Sequence, residues 1–265
     1  MQKILVICGP TATGKTALAA DLAKKFNGEL ISADSRQVYR GMDLTTGKDR
    51  PNVPIWLYDV VNPDEEFSVS HWVKLASDVV KNIQERNKLP IVVGGTGLYI
   101  NALIHPFETI DVPPNKALRE KLKTKSILEL QNMIERGDMN NSDWNNPRRL
   151  IRRIEIGEMK SKNPNKGMYD VLSIGLTAPL QELYRRIDAR MDARIQAGLK
   201  DEIRCLQNYS SELPSMSAIG VNEHAYAKRQ LTWFRKQKDI RWFDLTHEGY
   251  IGEIESVVHS WYTKE

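Results

Sequence analysis

Residues 9–16 read Gly9-Pro10-Thr11-Ala12-Thr13-Gly14-Lys15-Thr16, a full G-x-x-x-x-G-K-[ST] pattern. It stands directly behind the apolar run Ile4-Leu5-Val6-Ile7-Cys8 and ahead of a helical pattern with Leu18, Leu22 and Phe26 in its apolar positions. Strand, glycine loop and helix in that order make a phosphate-binding unit. The glycines let backbone N–H groups close around phosphate oxygens, Lys15 adds a cation, Thr16 offers a hydroxyl to Mg²⁺, and the helix turns its positive end to the anion. The stretch identifies a di- or triphosphate and leaves open what carries it.

Working outward, Glu29-Leu30-Ile31-Ser32-Ala33 reads as a second strand ending on Asp34-Ser35-Arg36-Gln37. Residues 69–86 read as a helix, and Leu89-Pro90-Ile91-Val92-Val93 as a third strand closing on Gly94-Gly95-Thr96-Gly97. Strands alternating with helices predict an α/β fold with a parallel sheet flanked by helices, and polar strand ends in such sheets are where ligands bind. Beyond Pro113-Pro114 the pattern turns helical and basic, with Leu118, Leu122, Ile127, Leu130 and Ile134 at near-helical spacing. This predicts an inserted small helical domain at 111–145 between two parts of the core, 1–110 and 146–265. Asn146-Pro147 opens a further helix, Asp170 to Leu176 returns to strand, and 179–206 is a long helix expected to bend or break at Gly198.

The chain has 265 residues, 41% hydrophobic and 27% charged, enough for one large domain with an insert. No apolar stretch approaches membrane-spanning length and no charged-then-apolar leader follows Met1, so a soluble cytoplasmic protein is expected, with no membrane partner. Cys8 and Cys205 have the spacing of neither a disulfide framework nor a zinc site. The formal net charge of +4 is unevenly placed: residues 115–166 hold 13 Lys/Arg against 7 Asp/Glu, and the rest of the chain is slightly acidic. A localised basic segment suits a polyanion, although a solvated helical face has the same composition.

Asp34, at the tip of the second strand, is placed to act as a general base towards a ligand on the loop. A Mg²⁺-shell or loop-capping aspartate would occupy the same place. Thr96, in the glycine turn, offers a hydroxyl. Arg148, Arg149, Arg152 and Arg153 form two pairs spaced by four, a cationic ridge suited to phosphodiester backbone. Residues 225–236 interleave aromatic rings with cations, a mixture that can stack bases and hold phosphates, and Trp233 and Phe234 are assigned to the core.

Taken in order, the loop, Asp34-Ser-Arg-Gln-Val-Tyr-Arg-Gly-Met-Asp43, Asp59, Pro63-Asp-Glu-Glu-Phe-Ser68, Pro90-Ile-Val-Val-Gly-Gly-Thr-Gly-Leu-Tyr99, Asn146-Pro-Arg-Arg-Leu-Ile-Arg152 and Lys228-Arg-Gln-Leu-Thr-Trp-Phe234 resemble the tRNA dimethylallyltransferases over nearly the whole chain. The resemblance implies a P-loop NTPase-like core. It implies transfer of a dimethylallyl group from dimethylallyl diphosphate to N6 of the tRNA adenosine 3′ of the anticodon, releasing diphosphate. By resemblance Gly9 to Thr16 hold the donor diphosphate, with Lys15 stabilising developing charge, Thr16 on Mg²⁺, and Arg186 or Arg190 completing the clamp. Asp34 takes the N6 proton and Thr96 bonds near the bridging oxygen. Ser35, Arg36 and Gln37, together with Asp34 and Thr96, contact the flipped-out nucleotide, Arg148, Arg149, Leu150, Ile151 and Arg152 contact the anticodon loop, and the insert grips it. A monomer is expected.

The chain departs from the family pattern in three places. Pro54-Ile55-Trp56-Leu57-Tyr58-Asp59 lacks the usual pair of histidines, Thr45-Thr46-Gly47-Lys48 replaces Gly-Thr-Ala-Lys, and only Val221 to His224 separate Gly220 from the Ala225-Tyr226-Ala227-Lys228-Arg229-Gln230 block, where further helical sequence is usual. Rival readings are an adenylate isopentenyltransferase acting on free nucleotide, a P-loop kinase or NTPase, and a catalytically silent tRNA-binding paralogue.

Overall fold

The computed structural model describes residues 2–106, 109–110, 112–157, 169–207 and 216–264, with all their side chains except those of 207 and 216–222. In chain order the elements are β1 (Gln2–Cys8), α1 (Lys15–Lys25), β2 (Gly28–Ser32), α2 (Asp43–Thr46), β3 (Ile55–Trp56), α3 (Val69–Glu85), β4 (Leu89–Gly94) and α4 (Gly97–Ile104). There follow α5 (Lys116–Leu122), α6 (Ile127–Gln131), α7 (Asn141–Trp144) and α8 (Pro147–Gly157). The chain continues with β5 (Tyr169–Thr177), α9 (Leu180–Gln196), α10 (Leu199–Gln207), α11 (Met216–Phe234), β6 (Ile240–Asp244) and α12 (Tyr250–Tyr262). Two compact units divide them: Met1–His105 with Gly167–Glu265, and Pro106–Lys166.

The first unit is built on a six-stranded sheet in the order β3-β2-β4-β1-β5-β6, and every pairing is parallel. β1 is central and buried on both faces, which is why its sequence is continuously apolar rather than alternating. Leu5 and Ile7 pack with α1 and α12 residues such as Leu22, Ile254 and Val258. Ile4, Val6 and Cys8 pack with Trp72, Val80 and Ile83 of α3 and with Phe234 of α11. Helix α3 starts on a Ser68–His71 capping box, and its indole N–H at Trp72 donates to the Ser32 carbonyl at 2.9 Å, fixing the helix beneath the end of β2.

The long helix expected over 179–206 breaks at Gly198, whose φ of 103° no β-carbon tolerates well. The break lets residues on either side of it handle the two ends of α2. Glu202 accepts from the N–H groups of Leu44 and Thr45 at 2.7 and 2.6 Å, and Arg194 donates to the Leu44 carbonyl at 3.1 Å. The shortened stretch after Gly220 is spanned by one uninterrupted helix, α11. Phe234 is core, as expected, and Trp233 packs half-buried against the same cluster. The edge strands β3 and β6 and the helix α12 have no counterpart in the sequence reading.

The second unit has its own core of Leu122, Leu130, Leu150 and Ile154. Its boundaries take in α8 as well as residues 111–145. Glu155, 2% exposed, is its polar hub. It accepts from Arg119 at 2.6 and 2.9 Å, from Arg152 at 3.1 Å and from the Asn115 N–H at 3.0 Å, and these donors hold its carboxyl below the ordinary glutamate range despite burial. A buried carboxylate is tolerable only with its lone pairs occupied in this way.

Candidate active site

A cleft opens at the carboxyl ends of β1, β2 and β4, lined by the phosphate loop, Asp34, Arg36, Gln37, Gly94, Gly95, Arg190, Tyr226 and Gln230. Gly9 leaves β1 at a φ of 135°, and a β-carbon there would strike the backbone of Leu176 on β5. Only glycine therefore lets the loop turn away from the sheet at this point. Ala12 and Gly14 are left-handed, and α1 begins at Lys15 with no side chain capping its first N–H groups. Those groups are available to an anion.

Lys15 Nζ donates to the Pro10 carbonyl at 2.5 Å and to Thr13 Oγ1 at 3.4 Å. Desolvation, reinforced by the nearby Arg190 charge, holds its pKa down to about 8. Arg190 donates to the Gly47 carbonyl at 2.6 Å and to Asp49 at 3.0 Å, and its Nη1 lies 3.5 Å from Thr11 Oγ1. Arg186 is tied to Glu182 at 2.7 Å and lines an adjoining, more open cavity with Lys48, Arg50 and Arg185. Of the two arginines expected at the phosphates, Arg190 is the one in the inner cleft.

The ends of β2 and β4 are laced together by side-chain hydrogen bonds. Asp34 Oδ1 accepts from the Arg36 N–H at 2.9 Å, an Asx turn that aims the strand end. The Ser35 N–H donates to Thr96 Oγ1 at 2.9 Å, and the Thr96 N–H donates to the Ala33 carbonyl at 3.0 Å. Gln37 Oε1 accepts from Ser32 Oγ at 3.1 Å and its Nε2 donates to the Gly47 carbonyl at 3.2 Å. Exposed Arg36 lays its guanidinium over the Tyr226 ring, 5.1 Å from the centroid. The Tyr226 phenol is pushed up to about 12, by burial first and then by the Asp34 charge. Asp34, Thr96 and the phosphate loop, separate in sequence, are thus gathered at one strand-end face.

The family-model comparison decides what such a cleft belongs to: residues 37–225 match the model described as IPP transferase. The chain belongs to the IPP transferase family. Residues 2–54 also match a model described as isopentenyl transferase. The tRNA dimethylallyltransferase of Anoxybacillus flavithermus is 37% identical, over 97% of this chain and 96% of the relative. That of Bacillus anthracis is 37% identical over 96% and 94%. The first alignment covers 297 positions, 32 more than the chain has residues, so at least that many positions of the alignment have no counterpart in this IPP transferase. Among solved structures, the tRNA isopentenylpyrophosphate transferase of Bacillus halodurans superposes with a TM-score of 0.74 at 34% identity, covering 98% of this chain and 97% of that one. The Staphylococcus epidermidis enzyme gives 0.69 at 28%, with 98% and 99% covered. A eukaryotic dimethylallyltransferase acting on tRNA gives 0.80 at 24%, covering 98% and 79%, and shares the fold.

The basic ridge divides in the second unit. Leu150 is fully buried, and Ile151 packs half-buried against the same core. Arg152 is occupied by Glu155 and by the Thr109 and Val112 carbonyls at 3.1 and 2.8 Å. Arg148, Arg149 and Arg153 are exposed, and Arg149 also pairs with Asp143. Tyr226, Gln230, Glu223, Tyr58, Thr46 and Asp49 also line the cleft and are not among the expected site residues. The only signal for the first two is their place in the Ala225–Gln230 block. Among the described residues no helix is long and apolar enough to cross a membrane.

Proposed function

We propose that this IPP transferase transfers the dimethylallyl group of dimethylallyl diphosphate to N6 of the tRNA adenosine 3′ of the anticodon. The observation that carries the reading is that the phosphate loop and Asp34 line one cleft, with Thr96 tied to the Ser35 N–H beside Asp34, so an anionic leaving group and a proton acceptor address the same reacting centre. The N6 lone pair forms a bond to C1 as the C1–O bond breaks, the electron pair leaves with diphosphate, and Asp34 takes the N6 proton. Uncapped N–H groups of α1, Lys15 and Arg190 stabilise the charge that accumulates on diphosphate. Lys15 turns to the ligand by giving up its bonds to Pro10 and Thr13. Thr96 sits beside the bridging oxygen, and Ser35, Arg36 and Gln37 hold the extruded adenosine, a base cheaper to flip from a loop than from a helix.

Mg²⁺ suits this donor set. Among the described residues no cluster of three or more His, Cys, Asp or Glu side chains forms a protein cage, and Mg²⁺ characteristically takes one or two protein oxygens, here Thr16, with water and ligand phosphates for the rest. Bound there, it would neutralise the leaving diphosphate. The exposed Arg148, Arg149 and Arg153 are the side chains we assign to anticodon-loop phosphates. The free-nucleotide reading is weaker, because relatives matching almost the whole chain are named for tRNA. We place the protein in the cytoplasm as a monomer.

The test is incubation with Mg²⁺, dimethylallyl diphosphate and an unmodified tRNA, followed by nucleoside mass analysis, with AMP as a parallel acceptor. Isopentenyl-adenosine from tRNA alone supports the reading. Product from AMP, or none from either, overturns it.

A further inference from the structure

Gln230, 5% exposed on α11, spends both ends of its amide on backbone. Its Oε1 accepts from the Thr11 N–H at 2.8 Å, and its Nε2 donates to the Gly95 carbonyl at 3.0 Å. Thr11 belongs to the phosphate loop. Gly95 adjoins Thr96, which is bonded to Ser35 next to Asp34. One side chain therefore spans the leaving-group half and the acceptor half of the cleft. Position 95 is shaped for it: a β-carbon there would overlap the Gln230 amide, while the nearest backbone atom, the Gly9 carbonyl oxygen, is 3.6 Å away. The glycine thus makes room for a side chain from far along the sequence, beyond any need of the turn itself.

We infer that Gln230 is a positioning residue for transfer, fixing the separation between the phosphate loop and the Asp34–Thr96 edge, and so the distance over which N6 reaches C1. The inference rests on the function proposed above. Only a neutral amide meets both demands, since one partner is a donor and the other an acceptor. Glutamate keeps the bond from Thr11 but sets a carboxylate against the Gly95 carbonyl. Methionine leaves both backbone groups without this partner, the Gly95 carbonyl in the buried interior. Both polar ends of Gln230 are already engaged by protein, so its loss should alter geometry rather than substrate affinity.

The experiment measures steady-state and single-turnover transfer for wild type, Gln230→Glu, Gln230→Met, Gly95→Ala, Gln230→Ser and the Gln230→Ser/Gly95→Ala double variant, with thermal melting of each. The expected result is a fall in kcat of about 10²-fold for Gln230→Glu and Gln230→Met, the scale of a misplacement near 1 Å. KM for tRNA and for dimethylallyl diphosphate should stay within about threefold, the pattern of a group acting in the transition state alone. Gly95→Ala should be damaging alone and nearly neutral on top of Gln230→Ser, because the added methyl then meets no amide. Unchanged kcat, a loss confined to KM, or additive effects of Gly95→Ala and Gln230→Ser would overturn the inference. Gln230→Glu preserves size and one bond, so a methionine variant that fails to fold does not spare the idea. No product from wild type is a different result, which removes the proposed function and this role with it.

Discussion

Arg194 and Glu223 form a buried ion pair between α9 and α11, Nη2 to Oε1 at 2.5 Å, with each residue 7% exposed. Glu223 lies within the shortened stretch, Val221 to His224, and also lines the cleft. The pair therefore ties the end of that stretch to the helix that carries Arg190. Breaking such a pair from one side strands a charge, at a cost of about 3–5 kcal/mol, whereas replacing both partners with apolar groups costs far less. Glu223→Ala should destabilise by about that amount in urea titration, and Arg194→Met/Glu223→Leu by less than the Glu223 change alone. Additive losses in the double variant would show that the two side chains are not coupled.

Replacing Asp34 with Asn keeps the turn acceptor for the Arg36 N–H but removes the proposed proton acceptor. Transfer should fall by about 10²–10⁴-fold while tRNA affinity stays near wild type, as read by single-turnover kinetics and filter binding. Parallel loss of both would assign Asp34 to binding instead.

Lys15 gives a pH signature. Its pKa of about 8 in the ligand-free cleft means that the cation is present below pH 8 and is lost above it. Dimethylallyl diphosphate should bind with constant affinity up to about pH 8 and weaken progressively above it, approaching tenfold per pH unit, because the neutral amine must regain a proton to meet the diphosphate. Lys15→Met should bind weakly and without that dependence in isothermal titration.

The parts of this molecule legible in the sequence are those whose cause is local. Ile4 to Cys8 reads as a strand because it is buried on both faces. The glycine loop reads as a phosphate site because its backbone shape is written in its residue types, and Asp34 and Thr96 stand out because they end strands. Gln230 and Glu223 had no such signal. Gln230 takes its role from the packing of α11 over loops more than a hundred residues earlier and Glu223 from Arg194 on α9, and a glutamine or glutamate in a helix looks the same in or out of a site. Arg152 shows the opposite failure: the i, i+4 spacing sets it on an exposed ridge with Arg148, whereas Glu155, three residues on, turns it inward.

That difference separates two mutations in the same helix. Arg148→Ala should leave stability unchanged and lower the salt dependence of tRNA binding by about one unit of log–log slope, the release of one counterion. Arg152→Ala should cost about 1–3 kcal/mol of stability by removing one donor from buried Glu155 and one each from the Thr109 and Val112 carbonyls, visible in thermal melting before any RNA is added. A reduced salt slope for Arg152→Ala with full stability would reverse the assignment.

Finally, Gly198 meets no ligand, yet the angle it allows decides where Arg194 and Glu202 point, and those two hold opposite ends of α2. Helix α2 runs into Gly47, whose carbonyl receives both Gln37 and Arg190. The spacing between Gln37 and Arg190 is thus calibrated from outside the cleft, by a hinge angle frozen into the backbone. Variation at this one remote glycine would shift Gln37 against Arg190 while every residue lining the cleft stayed the same.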